Sequence, residues 1–320
     1  MRVIFCGTPV FAVPALKHLL AQPDFQIVAA ITQPDRPRGR GQEISLAPVK
    51  QAALAAGIPV HQPEKIRGPE AQELLQQLAP DAIVIIAYGQ IIPGRLLGIP
   101  KRGWINLHAS LLPKYRGAAP INWAIVNGET KTGVTTMRID AGMDTGEILL
   151  QKEMNIGAVE TAPELAARMS ELGAPLMAET LRGLASGKIV PCAQSNEQAS
   201  SAPMLKKEDG KIDWSRSAQD IFNRIRGFTP WPGAYTSFRG QSCHIWGEPG
   251  SNDSGEQSPQ PGNGSNPGTL YVRGNQLLVS CGGATFLRVL SVKLEGRKQV
   301  SATEFVNGAR LLQGEHFGQR

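Results

Sequence analysis

The tract Gly103-Trp-Ile-Asn106-Leu-His108-Ala-Ser110-Leu-Leu-Pro113 alternates apolar Ile105 and Leu107 with polar Asn106 and His108. In an extended chain successive side chains point to opposite faces, so the amide and the imidazole share a face and should meet in space. A central parallel strand is normally apolar on both faces, and such a polar pair near its carboxyl end points to a cleft. A core histidine satisfied by one hydrogen bond is the competing reading. A second tract, Asp140-Ala-Gly142-Met-Asp144-Thr-Gly146-Glu147, sets two carboxylates among turn-forming glycines. It is a plain turn, a calcium loop or a catalytic loop. Calcium is disfavoured, because Gly142 stands where an EF-hand supplies an oxygen ligand and the downstream spacing is absent. If an aspartate of this loop faces the Asn106 and His108 strand, the cleft holds an oxyanion donor, a proton-transfer group and an orienting or proton-accepting acid. Those are parts for acyl transfer.

A third segment, Pro34-Asp-Arg36-Pro-Arg38-Gly-Arg40-Gly-Gln-Glu-Ile44, carries three arginines in five positions. It is either a solvated connection or a set of contacts for a phosphate backbone. Gly7-Thr8-Pro9 occupies the place of a dinucleotide phosphate loop, but no Gly-x-Gly-x-x-Gly is present and bulky Val10 and Phe11 follow. A nicotinamide dehydrogenase is disfavoured.

The elements that must position these residues alternate. Residues 2–6, 27–32, 81–87, 104–109, 134–139 and 147–154 read as strands. Residues 10–21, 47–56, 70–78, 120–126 and 162–184 have helical spacing. Strands alternating with helices predict a Rossmann-like α/β fold, a mostly parallel sheet with helices on both faces. Past Ser186 the composition turns polar, and a helix over 217–226 precedes short strands at 242–246, 268–273, 276–280 and 284–290, the pattern of a small β-barrel or sandwich. The division expected is a catalytic domain over 1–188, a linker over 189–206 and a second domain over 207–320. The low-complexity stretch 248–267 reads as a mobile loop without chemistry.

At 320 residues, 41% hydrophobic and 19% charged, the chain suits two globular domains. Gly7, Pro9 and Pro14 interrupt the apolar N-terminus, which reads as strand, turn and helix rather than a signal peptide, and no stretch is apolar enough for a membrane span. Cys6, Cys192, Cys243 and Cys281 form no Cys-x-x-Cys pair, which suggests reduced thiols, a cytoplasmic setting and no metal framework. Of the net charge of +6, +4 lies from Lys206 onward, where 14 basic residues face 10 acidic ones. A basic second domain is compatible with a polyanionic partner.

Together these tracts resemble the methionyl-tRNA formyltransferases over nearly the whole chain. The resemblance is carried by Phe5-Cys-Gly7-Thr-Pro9 with Phe11, by residues 33–41, by Asn106-Leu-His108-Ala-Ser110-Leu-Leu-Pro113-Lys-Tyr-Arg-Gly117-Ala-Ala-Pro120-Ile, and by 140–146. It implies that Asn106, His108 and Asp144 are catalytic. Ser110, Leu111, Leu112 and Pro113, with Gly142, Met143 and Thr145, would contact the folate. It also implies 10-formyltetrahydrofolate as formyl donor, initiator methionyl-tRNA as acceptor, an OB-like C-terminal domain that binds tRNA, and a monomer. Arg36, Arg38 and Arg40 are expected at the tRNA. In many family members lysines are expected directly after the Arg-Gly of that loop, whereas this chain has Gln42 and Glu43.

Other enzymes of the superfamily compete with this reading: glycinamide ribonucleotide formyltransferase, formylfolate hydrolase and nucleotide-sugar formyltransferase. The first is usually a single domain, and the arginine loop speaks against the last. A non-catalytic RNA-binding protein would not be expected to keep Asn106, His108 and Asp144.

Overall fold

In the computed structural model the described residues are 1–38, 43–250, 266–312 and 314–318. The chain divides into two compact units. The first holds Met1–Pro120, Lys131–Ile156 and Glu164–Pro203; the second holds Ile121–Thr130, Gly157–Pro163 and Met204–Arg320.

The first unit begins with β1 (Arg2–Gly7), α1 (Val13–Leu20) and β2 (Gln26–Ile31). A two-residue ribbon, β3 (Pro37–Arg38) with β4 (Glu43–Ile44), leads to α2 (Pro48–Ala55) and β5 (Val60–His61). Then come α3 (Pro69–Leu78), β6 (Ala82–Ile86), α4 (Gly94–Leu97) and β7 (Trp104–His108). After α5 (Pro120–Val126) the chain forms β8 (Lys131–Arg138), β9 (Ile148–Asn155) and α6 (Ala162–Ala185). The strand order is β5-β2-β1-β6-β7-β8-β9, parallel from β5 to β7 and antiparallel at β8 and β9. This is the mostly parallel, Rossmann-like sheet that the alternation predicts.

The sequence accounts for the arrangement. Val3, Ile4, Phe5 and Cys6 of β1 and Ala82, Ile83, Val84 and Ile86 of β6 are wholly buried, so both sheet faces must be covered by helices. The chain runs outward from β1 through β2 to β5 and then returns to β6, which makes the carboxyl ends of β1 and β6 the switch point where such sheets hold ligands. Polar side chains tie together the segments that follow β2, β5 and β6 beside this point. Gln33 donates from Nε2 to the Tyr88 carbonyl at 3.0 Å, and Gln62 donates to the Gln33 carbonyl at 2.8 Å. The Lys50 ammonium, paired with Asp35, holds that carboxyl below its usual range. On β7 the Leu107 side chain meets α6 at Gly173, where a Cβ would lie 2.5 Å from Leu107 Cδ2. Only a glycine lets the helix press this closely on the back of the strand.

The second unit joins α7 (Ala218–Gly227) and α8 (Ala302–Ala309) to an antiparallel sheet. Its strands are β10 (Tyr235–Phe238), β11 (Gln241–Pro249), β12 (Leu270–Arg273), β13 (Gln276–Cys281) and β14 (Thr285–Leu294), in the order β10-β11-β14-β13-β12, with β15 (Val300–Ser301) paired to β14. Ile221 and Ile225 of α7 and Phe305 of α8 share a core with Ile245, Leu277, Leu287, Val289 and Val292 of the sheet. All but the first residue of α5 belongs here: Asn122 donates to the Gly227 carbonyl at 2.7 Å, and the Trp123 and Phe228 rings meet edge to face at 5.7 Å. The low-complexity stretch 248–267 leaves the end of β11, and its residues 251–265 lie outside the described ones.

Candidate active site

Strand β7 delivers Trp104, Asn106 and His108 to one face, with Ile105 and Leu107 on the other. His108 is 6% exposed, and its Nε2 lies 2.9 Å from the Tyr115 carbonyl. A carbonyl only accepts, so this nitrogen carries a proton and the neutral ring keeps its lone pair on Nδ1. Nδ1 faces Asp144 Oδ2 at 3.7 Å, too long for a hydrogen bond and short enough for an ion pair once the ring is charged. Asn106 is half-buried, and among the described residues its amide has no hydrogen-bond partner.

The loop after β8 separates the two aspartates that the sequence leaves equivalent. Asp140 Oδ1 accepts from the Gly142 N–H at 3.0 Å and from Thr145 Oγ1 at 2.8 Å; Oδ2 accepts from the same hydroxyl at 3.0 Å. Asp140 therefore builds the turn. Asp144 instead turns toward His108, in a left-handed backbone conformation with φ of 54°. That costs a non-glycine residue about 1–2 kcal/mol. The cost is offset by a hydrogen bond from the Gly117 N–H to Asp144 Oδ2 at 2.9 Å, since bonds to charged groups contribute about 1.5–3 kcal/mol. Gly117 is required for its backbone: its φ is +126°, and a Cβ there would lie 2.5 Å from the Ala202 carbonyl.

The other residues singled out in the sequence divide by position. Ser110 is buried, and its hydroxyl donates to the Lys114 carbonyl at 2.6 Å, so it shapes the turn. Leu111 and Pro113 are half-buried and Leu112 is buried. Thr135 grips this segment: Oγ1 donates to the Ser110 carbonyl at 2.6 Å and accepts from the Leu112 N–H at 3.1 Å and from Gln151 Nε2 at 2.9 Å. Gln151 also donates to the Leu112 carbonyl at 2.8 Å. Gly142 and Met143 are exposed at the loop tip, whereas the Thr145 hydroxyl is committed to Asp140. Arg36 is exposed; Arg38 lies in β3, and Arg40 lies outside the described residues.

Sequence reasoning missed Thr135, Gln151, Gln194 and the backbone groups of Tyr115 and Gly117. Thr135 stands opposite His108 in the β7–β8 pairing, and a threonine in an otherwise buried strand was the available signal. Gln151, Gln194 and Gly117 act through partners distant in sequence, and the Tyr115 carbonyl acts as a main-chain group that no residue type marks.

The chain matches the Formyl transferase family over residues 1–181 and the Formyl transferase, C-terminal domain family over 204–310. It is 51% identical over 319 residues to a methionyl-tRNA formyltransferase of Solibacter usitatus, covering 100% of this chain and 99% of the relative. With that of Koribacter versatilis it is 50% identical over 321 residues, again covering 100% and 99%. Among solved structures, an N-formyltransferase from Helicobacter canadensis, in complex with folinic acid and dTDP-3-aminofucose, superposes with a TM-score of 0.64 at 20% identity, covering 90% of this chain and 98% of that one. A sugar 3N-formyl transferase gives 0.64 at 19% identity, covering 93% and 99%. At such identity these two share the fold alone.

Proposed function

Since the chain belongs to the methionyl-tRNA formyltransferase family, we propose that it moves a formyl group from 10-formyltetrahydrofolate to the amine of initiator methionyl-tRNA, as a monomer in the cytoplasm. The observation that carries this reading is the His108 and Asp144 pair at the carboxyl end of β7, on the strand that also carries Asn106, whose amide has no partner among the described residues.

In this reading each group has a task. Nε2 of His108 is committed to Tyr115, so Nδ1 is the nitrogen left for chemistry. With the ring protonated, Nδ1–H and the Asn106 amide stabilise the oxyanion that forms when the methionyl nitrogen attacks the formyl carbon. Asp144 accepts the proton that this nitrogen loses. When the tetrahedral intermediate collapses, the bond from carbon to the folate nitrogen breaks and His108 supplies the proton to that nitrogen. The proton held by Asp144 then recharges His108, so one proton has passed from amine to folate and the site is restored. An α-amino group titrates near pH 8, about 7.7–8.0 in model compounds, so much of it is already nucleophilic at neutral pH. What the protein adds is positioning and charge stabilisation.

In this reading residues 1–188 form the catalytic domain, 189–206 the connection and 207–320 the tRNA-binding domain, consistent with the +4 that lies from Lys206 onward. The segments 110–113 and 142–145 border the folate, and Arg36, Arg38 and Arg40 contact the tRNA. The test is formyl transfer from formylfolate to charged initiator tRNA, with elongator tRNA and an amino sugar nucleotide as competing acceptors. Preference for the sugar nucleotide would overturn the assignment.

A further inference from the structure

The stretch after α6 carries a side chain that bonds to the loop bearing Asp144. Gln194 Nε2 donates to two carbonyls of the catalytic loop, Asp144 at 2.9 Å and Gly146 at 2.7 Å. Its Oε1 accepts from Arg116 Nε at 2.9 Å, so both its N–H groups and its oxygen are used. Arg116 Nη1 continues to Asn196 at 3.0 Å, and the Arg116 main chain pairs with Ser200 and Ala202. Nη2 of Arg116 is buried without a partner among the described residues. The guanidinium is only half-buried, with Nη2 as its enclosed atom, so its bonds to Gln194 and Asn196 are what fix its orientation.

The neighbours of Arg116 are the residues that grip the two reacting groups. Tyr115 holds His108 through its carbonyl, and Gly117 holds Asp144 through its N–H. Gln194 therefore ties the loop that orients His108 to the loop that presents Asp144.

We propose that Gln194 is a positioning residue for formyl transfer, acting with Arg116 to set the placement of the Asp144 carboxylate against His108. Asp144 sits in an unfavourable left-handed conformation and must be held there by its surroundings. The Gly117 N–H fixes the carboxylate end, and Gln194 fixes the main-chain end. Removing the second hold lets the loop relax and carry the carboxylate away from Nδ1. Displacements of about 1 Å at reacting groups can lower turnover about a hundredfold.

The inference rests on the reading that Asp144 carries the proton transfer, and a double-mutant cycle separates the two. Formyl transfer to charged initiator tRNA is followed in the steady state at varied concentrations of both substrates for the wild type, Gln194→Ala, Asp144→Asn and the double variant. Gln194→Ala should lower kcat about tenfold or more with both KM values within about twofold. In the Asp144→Asn background the same change should cost less than about twofold, because the group it positions is already disabled. An equal loss in both backgrounds, or no loss in Gln194→Ala, overturns the positioning role while leaving the functional reading intact. Full turnover by Asp144→Asn alone overturns both. Gln194→Glu keeps the acceptor for Arg116 and removes both donors, so it should reproduce the loss and takes the place of the alanine variant if that one unfolds. Wild-type turnover by Gln194→Glu counts against the proposal.

Discussion

Replacing Thr135 with valine removes one hydroxyl and leaves the shape of the side chain almost unchanged. That hydroxyl has three partners: the Ser110 carbonyl, the Leu112 N–H and Gln151 Nε2. Gln151 keeps its bond to the Leu112 carbonyl, so the variant strands two main-chain groups, one donor and one acceptor, in a buried segment. Each orphaned group costs about 1–3 kcal/mol, and roughly 2–6 kcal/mol is expected for the pair. At about 2–4 °C per kcal/mol for a unit of this size, thermal unfolding of the first unit should shift down by about 4–24 °C. Thr132 supplies the internal control. It is buried in the same strand, but its hydroxyl has no hydrogen-bond partner among the described residues, so Thr132→Val should stay within about 0.5 kcal/mol of wild type. If segment 110–113 borders the folate as proposed, Thr135→Val should also raise the KM for the formyl donor more than it lowers kcat. Calorimetry and steady-state kinetics read both effects. If Thr135→Val unfolds at the same temperature as Thr132→Val and keeps its KM, the clamp on 110–113 has no energetic weight.

His108→Ala and Asp144→Asn should each reduce turnover by at least about a hundredfold while folding normally; near-wild-type rates would refute their roles. Replacing Arg36, Arg38 and Arg40 with alanine should raise the KM for charged tRNA, leave formyl-donor binding unchanged and flatten the salt dependence of tRNA affinity. Each lost phosphate contact removes a slope of about 0.7–0.9 in log affinity against log salt, and an unchanged slope would make the segment a solvated connection. Burial pushes the Cys243 and Cys281 thiols up to about 12 and that of Cys6 higher still, whereas Cys192 is exposed. A thiol reagent should therefore label one cysteine quickly in the folded protein and four after denaturation; a second fast-reacting thiol would contradict the burial.

The β-strand carrying Asn106 and His108 was legible because two polar residues interrupt an apolar alternation, and the surrounding helices and strands announced themselves by period. Short elements did not. β5 is two residues long and shows no period, and α8 follows so closely on the strand pattern that its Ser301-Ala-Thr-Glu304 capping box carried its only local mark. The choice between Asp140 and Asp144 was beyond spacing, since both stand among glycines; it depends on which carboxylate finds local N–H and O–H donors and which finds Gly117. The polar stretch after Ser186 has the composition of a linker. Yet Cys192 exchanges both main-chain bonds with Ile148, and Ala202 pairs with Arg116. Those are backbone interactions, and composition does not encode them.

The interleaving of the two units along the chain bears on how the protein is made. Residues 121–130 and 157–163 leave the ribosome early but belong to a unit whose remaining pieces begin at Met204. Trp123 pairs with Phe228, Val126 packs at Gly227, and the carbonyls of Gly157 and Glu160 accept from Arg226. At synthesis rates of about 5–20 residues per second, those partners arrive roughly 5–20 s after Trp123. During that interval Trp123 and Val126 lack the partners they meet in the folded unit, and the wait ends only when α7 and Phe228 have been translated.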